Sequence, residues 1–147
     1  MLDKNFFFKT GPQIVACFRK SIFMDGKDID GNNFKPYLKE YAEAKSENTF
    51  KRQATEFKDK VTPVLTGDLM RDWTMRKTTS RGFTFGTLSH GGKVESLAKK
   101  GRVITKKSKA IPDKCNTLLN REANAYVKKK LNKQFKKTTR INIQAGK

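Results

Sequence analysis

Apolar residues recur every four positions at Ile14, Phe18 and Ile22, with Val15 and Cys17 beside them. That spacing predicts an amphipathic helix of about three turns. Gly11-Pro12 is expected to open it, because proline is tolerated in a first turn, and Asp25-Gly26 to end it. The preceding arm, Met1–Thr10, carries Phe6-Phe7-Phe8, which suits either a buried strand or docking on a neighbouring subunit. After the helix comes a stretch dense in turn residues, from Ile22 to Tyr37. Gly26 and Gly31 provide the turning points, and Phe23, Phe34 and Tyr37 are expected to anchor the loop to a core.

Pro36 is expected to start a second helix, with Tyr37, Leu38, Tyr41 and Ala42 on one face. Lys39, Glu40, Glu43 and Lys45 fall on the other, and Lys39 and Glu43 are spaced for pairing. The charged stretch 46–60 has only Phe50 and Phe57 as large apolar points and reads as a mobile or partly helical excursion. Thr66-Gly67 turns the chain into a single helical turn at Asp68–Arg71. If Gly67 holds a positive φ, a β-branched residue there would block folding or assembly. Trp73–Thr78 and Phe83–Leu88 alternate as strands do, around a turn at Ser80–Gly82, and predict an antiparallel hairpin. Lys93–Lys100 is expected as a short helix ended by Gly101, and Arg102–Thr105 as a strand. Cys115, Leu118, Leu119, Ala123, Tyr126, Val127, Leu131 and Phe135 form a stripe that predicts a long helix over 113–137. Residues 138–147 read as a polar tail, with a short strand at Ile141–Ile143. The expected class is α+β: one domain over 1–137, a small antiparallel sheet packed by a long C-terminal helix and an N-terminal helix.

Composition changes this picture mainly through charge. The 147 residues fit one domain, with 35% apolar content, and carry a net charge of +19. Residues 1–60 hold only +3 of it, while 61–112 and 113–147 hold +8 each. Such an excess repels itself unless something anionic lies near. The candidates are nucleic acid, an acidic protein neighbour and a membrane surface. No apolar run approaches a membrane span, and Met1–Lys4 leads into no signal-peptide pattern. The protein is therefore expected to act inside the cell that makes it, or in something assembled there. Lys99, Lys100, Arg102, Lys106, Lys107, Lys109, Lys128, Lys129 and Lys133 are the candidate contacts to DNA or to an acidic partner, through charge alone. No recognised DNA-reading or RNA-reading motif accompanies them.

The chemical motifs fare poorly. Placing Gly31 at the glycine position of a calcium loop puts Gly26 and Tyr37 where ligands are needed, so no metal is expected. Gly86–Lys93 has one residue too many for a phosphate loop and Val94 where a hydroxyl is required. His90, the single histidine, has no reactive cysteine or serine motif beside it. No enzyme and no cofactor are expected. Cys17 and Cys115 make no metal spacing and no CxxC. Both fall on apolar sides of predicted helices, which favours core thiols over a disulfide or a nucleophile.

Two segments together resemble the virion morphogenesis and tail-completion family of tailed phages. One is Phe23-Met24-Asp25-Gly26 through Asp30-Gly31, Phe34, Pro36, Tyr37, Tyr41 and Ala42. The other is Leu65-Thr66-Gly67-Asp68-Leu69, followed by Arg71 and Trp73. Gly86, His90, Gly91 and Ile111-Pro112-Asp113 before the last helix fit the same pattern, over roughly residues 12–135. Residues 46–60 look inserted relative to the family, and Lys-Lys-Ser-Lys replaces its Arg-rich approach to the last helix. The resemblance implies a structural subunit of the head–tail junction of a virion, assembled in the host cytoplasm. Such proteins form rings, often six-fold, that meet portal-side connector or tail-tube proteins, with DNA passing through. Phe23, Gly26, Gly31, Phe34, Tyr37, Thr66, Gly67, Asp68 and Leu69 would then shape subunit or ring contacts. A free nucleic-acid-binding protein without sequence preference is the alternative reading.

Overall fold

The computed structural model describes residues 1–64 and 66–144, and of 137–144 only the backbone. Among the described residues, five α-helices and one two-stranded antiparallel sheet make an α+β fold. Helix α1 spans Lys4–Arg19 and runs into a π-helical turn at Lys20–Met24. It starts two turns earlier than Gly11-Pro12 predicts. Asp3 supplies the reason: its carboxylate accepts the Phe6 N–H at 3.1 Å and caps the helix. Phe6 and Phe7 are then buried on one side of it, Phe6 against Tyr126 and Phe7 near Phe83. The triplet is neither strand nor arm, and Phe8 alone of the three faces outward. Pro12 lies within the helix at an exposed position.

The hairpin pairs β1 (Thr74–Thr78) with β2 (Phe83–Gly86), Met75 opposite Phe85 and Thr78 opposite Phe83. The register slips between Met75 and Lys77, so the alternation read from sequence is interrupted at Arg76. Helix α1 packs on both strands, and at Gly11 an added Cβ would lie 2.4 Å from Met75 Sδ. Helix α5, Asp113–Gln144, packs chiefly along α1. The two helices are joined by a disulfide between Cys17 and Cys115, with Cα atoms 5.8 Å apart. This corrects the expectation of two core thiols. The apolar stripes of α1 and α5 face each other, and that brings the two sulfurs together. Tyr126 and Lys130 on α5 also bind the Asp3 carboxylate, which they hold well below the usual carboxylate range together with the Phe6 N–H. Helical backbone continues to Gln144, so the expected strand at Ile141–Ile143 is absent. Residues 145–147 of the expected tail lie outside the described residues.

The core sits where α1, the π-turn and the hairpin meet the long loops. Phe18 stacks on Trp73 at 4.9 Å and meets Phe85 edge-on at 5.3 Å. Ile14, Ile22, Phe23, Ile29, Phe34, Val64 and Ile104 close around them. Full burial of one such side chain contributes about 1.5–3 kcal/mol. Arg102–Thr105 is not a strand. It crosses the core as an extended segment whose Val103 carbonyl accepts the Ile29 N–H at 3.0 Å. The stretch 46–60 is partly helical, one of its two expected forms, and is tied to the core: Phe57, on a 3₁₀ turn at Thr55–Phe57, is buried there, and Phe50 packs on Tyr41. Helix α2 is Lys39–Ser46, three residues later than Pro36 implies. Its Lys45 is buried at 1% exposure rather than on the outer face. Lys45 lies four residues after Tyr41 on α2, so the helix places it on the Tyr41 face. None of the helices among the described residues is long and apolar enough to cross a membrane.

Candidate functional site

Three segments distant in sequence wall an open groove with a volume of about 710 Å³. Pro36–Leu38 and Tyr41 form one wall and Thr62–Met70 another. The third is helix α4 (Gly91–Lys99), through Lys93, Ser96 and Leu97, with Lys100 and Arg102 after it.

Tyr37 organises the first wall. Its hydroxyl donates to the Thr62 carbonyl, which ties the opening loop to the second wall. Its ring meets Tyr41 edge-on at 4.8 Å. The Arg102 guanidinium lies 4.6 Å from the ring centroid and the Lys45 ammonium 4.9 Å, both favourable cation–π distances. Burial, helped by Tyr41, pushes the Tyr37 phenol up to about 12. Burial, then the charge of Arg102, lowers Lys45 to about 8. The Lys45 ammonium donates to the Lys60 carbonyl at 2.7 Å, so the buried group is not left unbonded. Arg102 also donates from Nη2 to the Lys35 carbonyl at 3.1 Å.

The second wall turns at Gly67, whose φ is +80°, and continues as helix α3 (Asp68–Asp72). Thr66 donates its hydroxyl to Asp68 at 2.7 Å, and Arg71 donates to the same carboxylate at 2.7 Å and to the Thr66 carbonyl at 3.1 Å. Both donors lower the Asp68 carboxyl, Thr66 more than Arg71. Leu69 points inward to the core. Arg19 takes the carbonyls at the end of α3, donating to Trp73 at 2.8 Å and Arg71 at 3.1 Å.

The third wall is positioned by Asp72. One oxygen of its carboxylate accepts the N–H groups of Leu88, Ser89 and His90 and faces His90 Nδ1 at 3.0 Å. These donors, led by the Ser89 N–H, bring the Asp72 carboxyl down to about 2. The run that imitates a phosphate loop, Gly86–Lys93, is thus folded around an internal carboxylate.

The residues singled out from sequence fall into separate places. Tyr37, Thr66, Gly67 and Leu69 line the groove, and Asp68 sits beside it, tied to Thr66 and Arg71. Leu65 lies outside the described residues. Phe23 and Phe34 are core residues, so they hold the loop from beneath and offer no side chain to a neighbour. Gly26 is buried, and Gly31 is at the exposed loop tip, both with positive φ. Asp28 accepts the Asp30 and Asn32 N–H groups within that loop.

The basic residues divide in the same way. Lys100 and Arg102 line the groove. Lys106 and Lys109 are paired with Asp30, and Lys109 also with Asp113. Lys99 and Lys107 are exposed, as are Lys128, Lys129 and Lys133 on α5. Leu131 and Phe135 on the same helix are 46% and 69% exposed, so the far part of its stripe leaves the body of the fold. Sequence reasoning missed Lys93, Met70 and Leu97 as groove residues. No protein-family model, no curated protein and no solved structure matches the chain.

Proposed function

We propose that the chain is a structural subunit of a tailed-phage particle, one of a ring at the head–tail joint through which the DNA passes. The observation that carries this reading is the convergence of its two resemblance segments. Tyr37 from one and Thr66, Gly67 and Leu69 from the other line the same open groove. Motif residues gathered on an open surface suit contact with another protein of the joint, while ring closure sets one patch of a subunit against a different patch of its neighbour. The partners in this reading are further copies of the chain and portal-side connector or tail-tube proteins.

Negative-stain electron microscopy and native mass spectrometry of the purified protein test it, together with mass spectrometry of purified particles. Closed rings of six or more copies, or the chain in stoichiometric amount in particles, are expected. A protein that stays monomeric at high concentration and is absent from particles sinks the reading. The second reading, a free nucleic-acid binder, draws on the exposed Lys128, Lys129 and Lys133, which make no ion pair among the described residues.

A further inference from the structure

We infer that the groove between Tyr37, the Thr62–Met70 segment and α4 is a docking site for an acidic segment of a different protein, anchored by apolar side chains. Its wall and floor are apolar: Tyr37, Val64, Leu69, Met70 and Leu97. Its cations are Lys93, Lys100 and Arg102, and no Asp or Glu is among the lining residues. Of the three acids adjacent in sequence to lining residues, Asp68 is already held by Thr66 and Arg71, and Glu40 and Glu95 are not among the residues that line the groove. The complement of such a surface is an apolar anchor flanked by carboxylates.

Arg102 is set in place before any partner arrives, over the Tyr37 ring and on the Lys35 carbonyl. Little of its side-chain entropy remains to be lost on binding. The same arrangement disfavours nucleic acid here, because a ring that already faces two cations is a poor stacking platform for a base. A second copy is also a poor occupant. The chain is +19, and seven of its fourteen carboxylates already face a Lys or Arg within the chain. This docking does not rest on the neck reading, since ring assembly and peptide binding are measured separately.

The test is selection of a displayed library of short random peptides on the immobilised full chain. Enriched peptides should carry Asp or Glu beside Leu, Phe, Tyr or Trp. In solution their affinity should fall at least about tenfold on Lys93→Glu/Lys100→Glu, a loss of about 1.4 kcal/mol. Both positions are exposed, and an unchanged melting temperature would show that this variant folds. Selection repeated on the variant should shift towards Lys and Arg. Enrichment of neutral or basic peptides, failure to enrich, or binding indifferent to the variant overturns the proposal. So does equilibrium sedimentation in which the variant loses self-association while no peptide is selected, because a second copy would then fill the groove.

Discussion

Gly26 and Gly67 both hold left-handed backbone, with φ of +68° and +80°, but their surroundings differ. A Cβ on Gly26 would lie 2.7 Å from the Val61 carbonyl oxygen, which is backbone. On Gly67 it would meet the end of the Arg71 side chain at 2.8 Å, which can swing away. Each alanine carries about 1–3 kcal/mol of backbone strain. Gly26→Ala should therefore destabilise more than Gly67→Ala, read as the larger drop in urea midpoint. A reversed order would show that the Arg71 contacts to Thr66 and Asp68 matter more than backbone clearance. Lys45 gives a pH test. Its folded pKa of about 8 lies below the ordinary 10.5, so between those values the unfolded chain binds more protons than the folded one. Stability should rise with pH across that window. Tyr37, raised to about 12, acts in the opposite direction above pH 10, which leaves pH 8 to 10 as the clean interval. Urea unfolding near both ends of that interval should show the rise in the native chain and its loss in Lys45→Met. A slope that survives in the variant assigns it to another group.

At the scale of elements, α1 is the hub: the hairpin, the π-turn and α5 all pack on it. The disulfide from α1 to α5 closes a sequence separation of 98 residues. A cross-link of that span restricts the unfolded chain strongly, and native disulfides of this kind contribute about 2–4 kcal/mol. Reduction, or Cys17→Ser/Cys115→Ser, should lower the unfolding free energy from urea titration by about 2–4 kcal/mol, seen also as a lower urea midpoint and melting temperature. An unchanged midpoint under reducing conditions would mean that α1–α5 packing alone sets the stability. The repeating pattern made these helices legible, and the hairpin with them. It did not show where α1 starts, because the cap at Asp3 is completed by Tyr126 and Lys130 from the far end of the chain. The groove was legible only in pieces. The opening loop and the Leu65–Leu69 turn each stood out by their glycines, while Leu97 and Lys93 read as ordinary positions of a short helix.

Across the whole molecule, the 33 basic residues are divided among separate places rather than spread as one face. Part is spent inside the fold, on Asp30 and Asp113, and part surrounds the groove. The set on α5, Lys128, Lys129 and Lys133, is left to solvent. If DNA meets the chain there, binding should weaken steeply with salt. Replacing the three lysines by Gln should flatten the log–log salt dependence by roughly 2–3. An unchanged slope removes α5 as the DNA-facing surface. That outcome leaves the ring reading standing, since ring closure is read separately by electron microscopy and native mass spectrometry.

Local chemistry determined much of this protein by itself. Apolar spacing produced α1, α4, α5 and the hairpin, and the glycines at 26, 31, 67 and 101 marked turns that do have positive φ. Those features depend on neighbours a few residues apart, so they are written in the chain. Tertiary structure decided what each apolar face meets. It joined Cys17 to Cys115, buried Lys45 under Tyr37, and paired Lys106 with Asp30. It also brought Tyr37, Thr66, Gly67 and Leu97 around one groove. Periodicity says that a face is apolar and carries no record of the distant segment that will cover it.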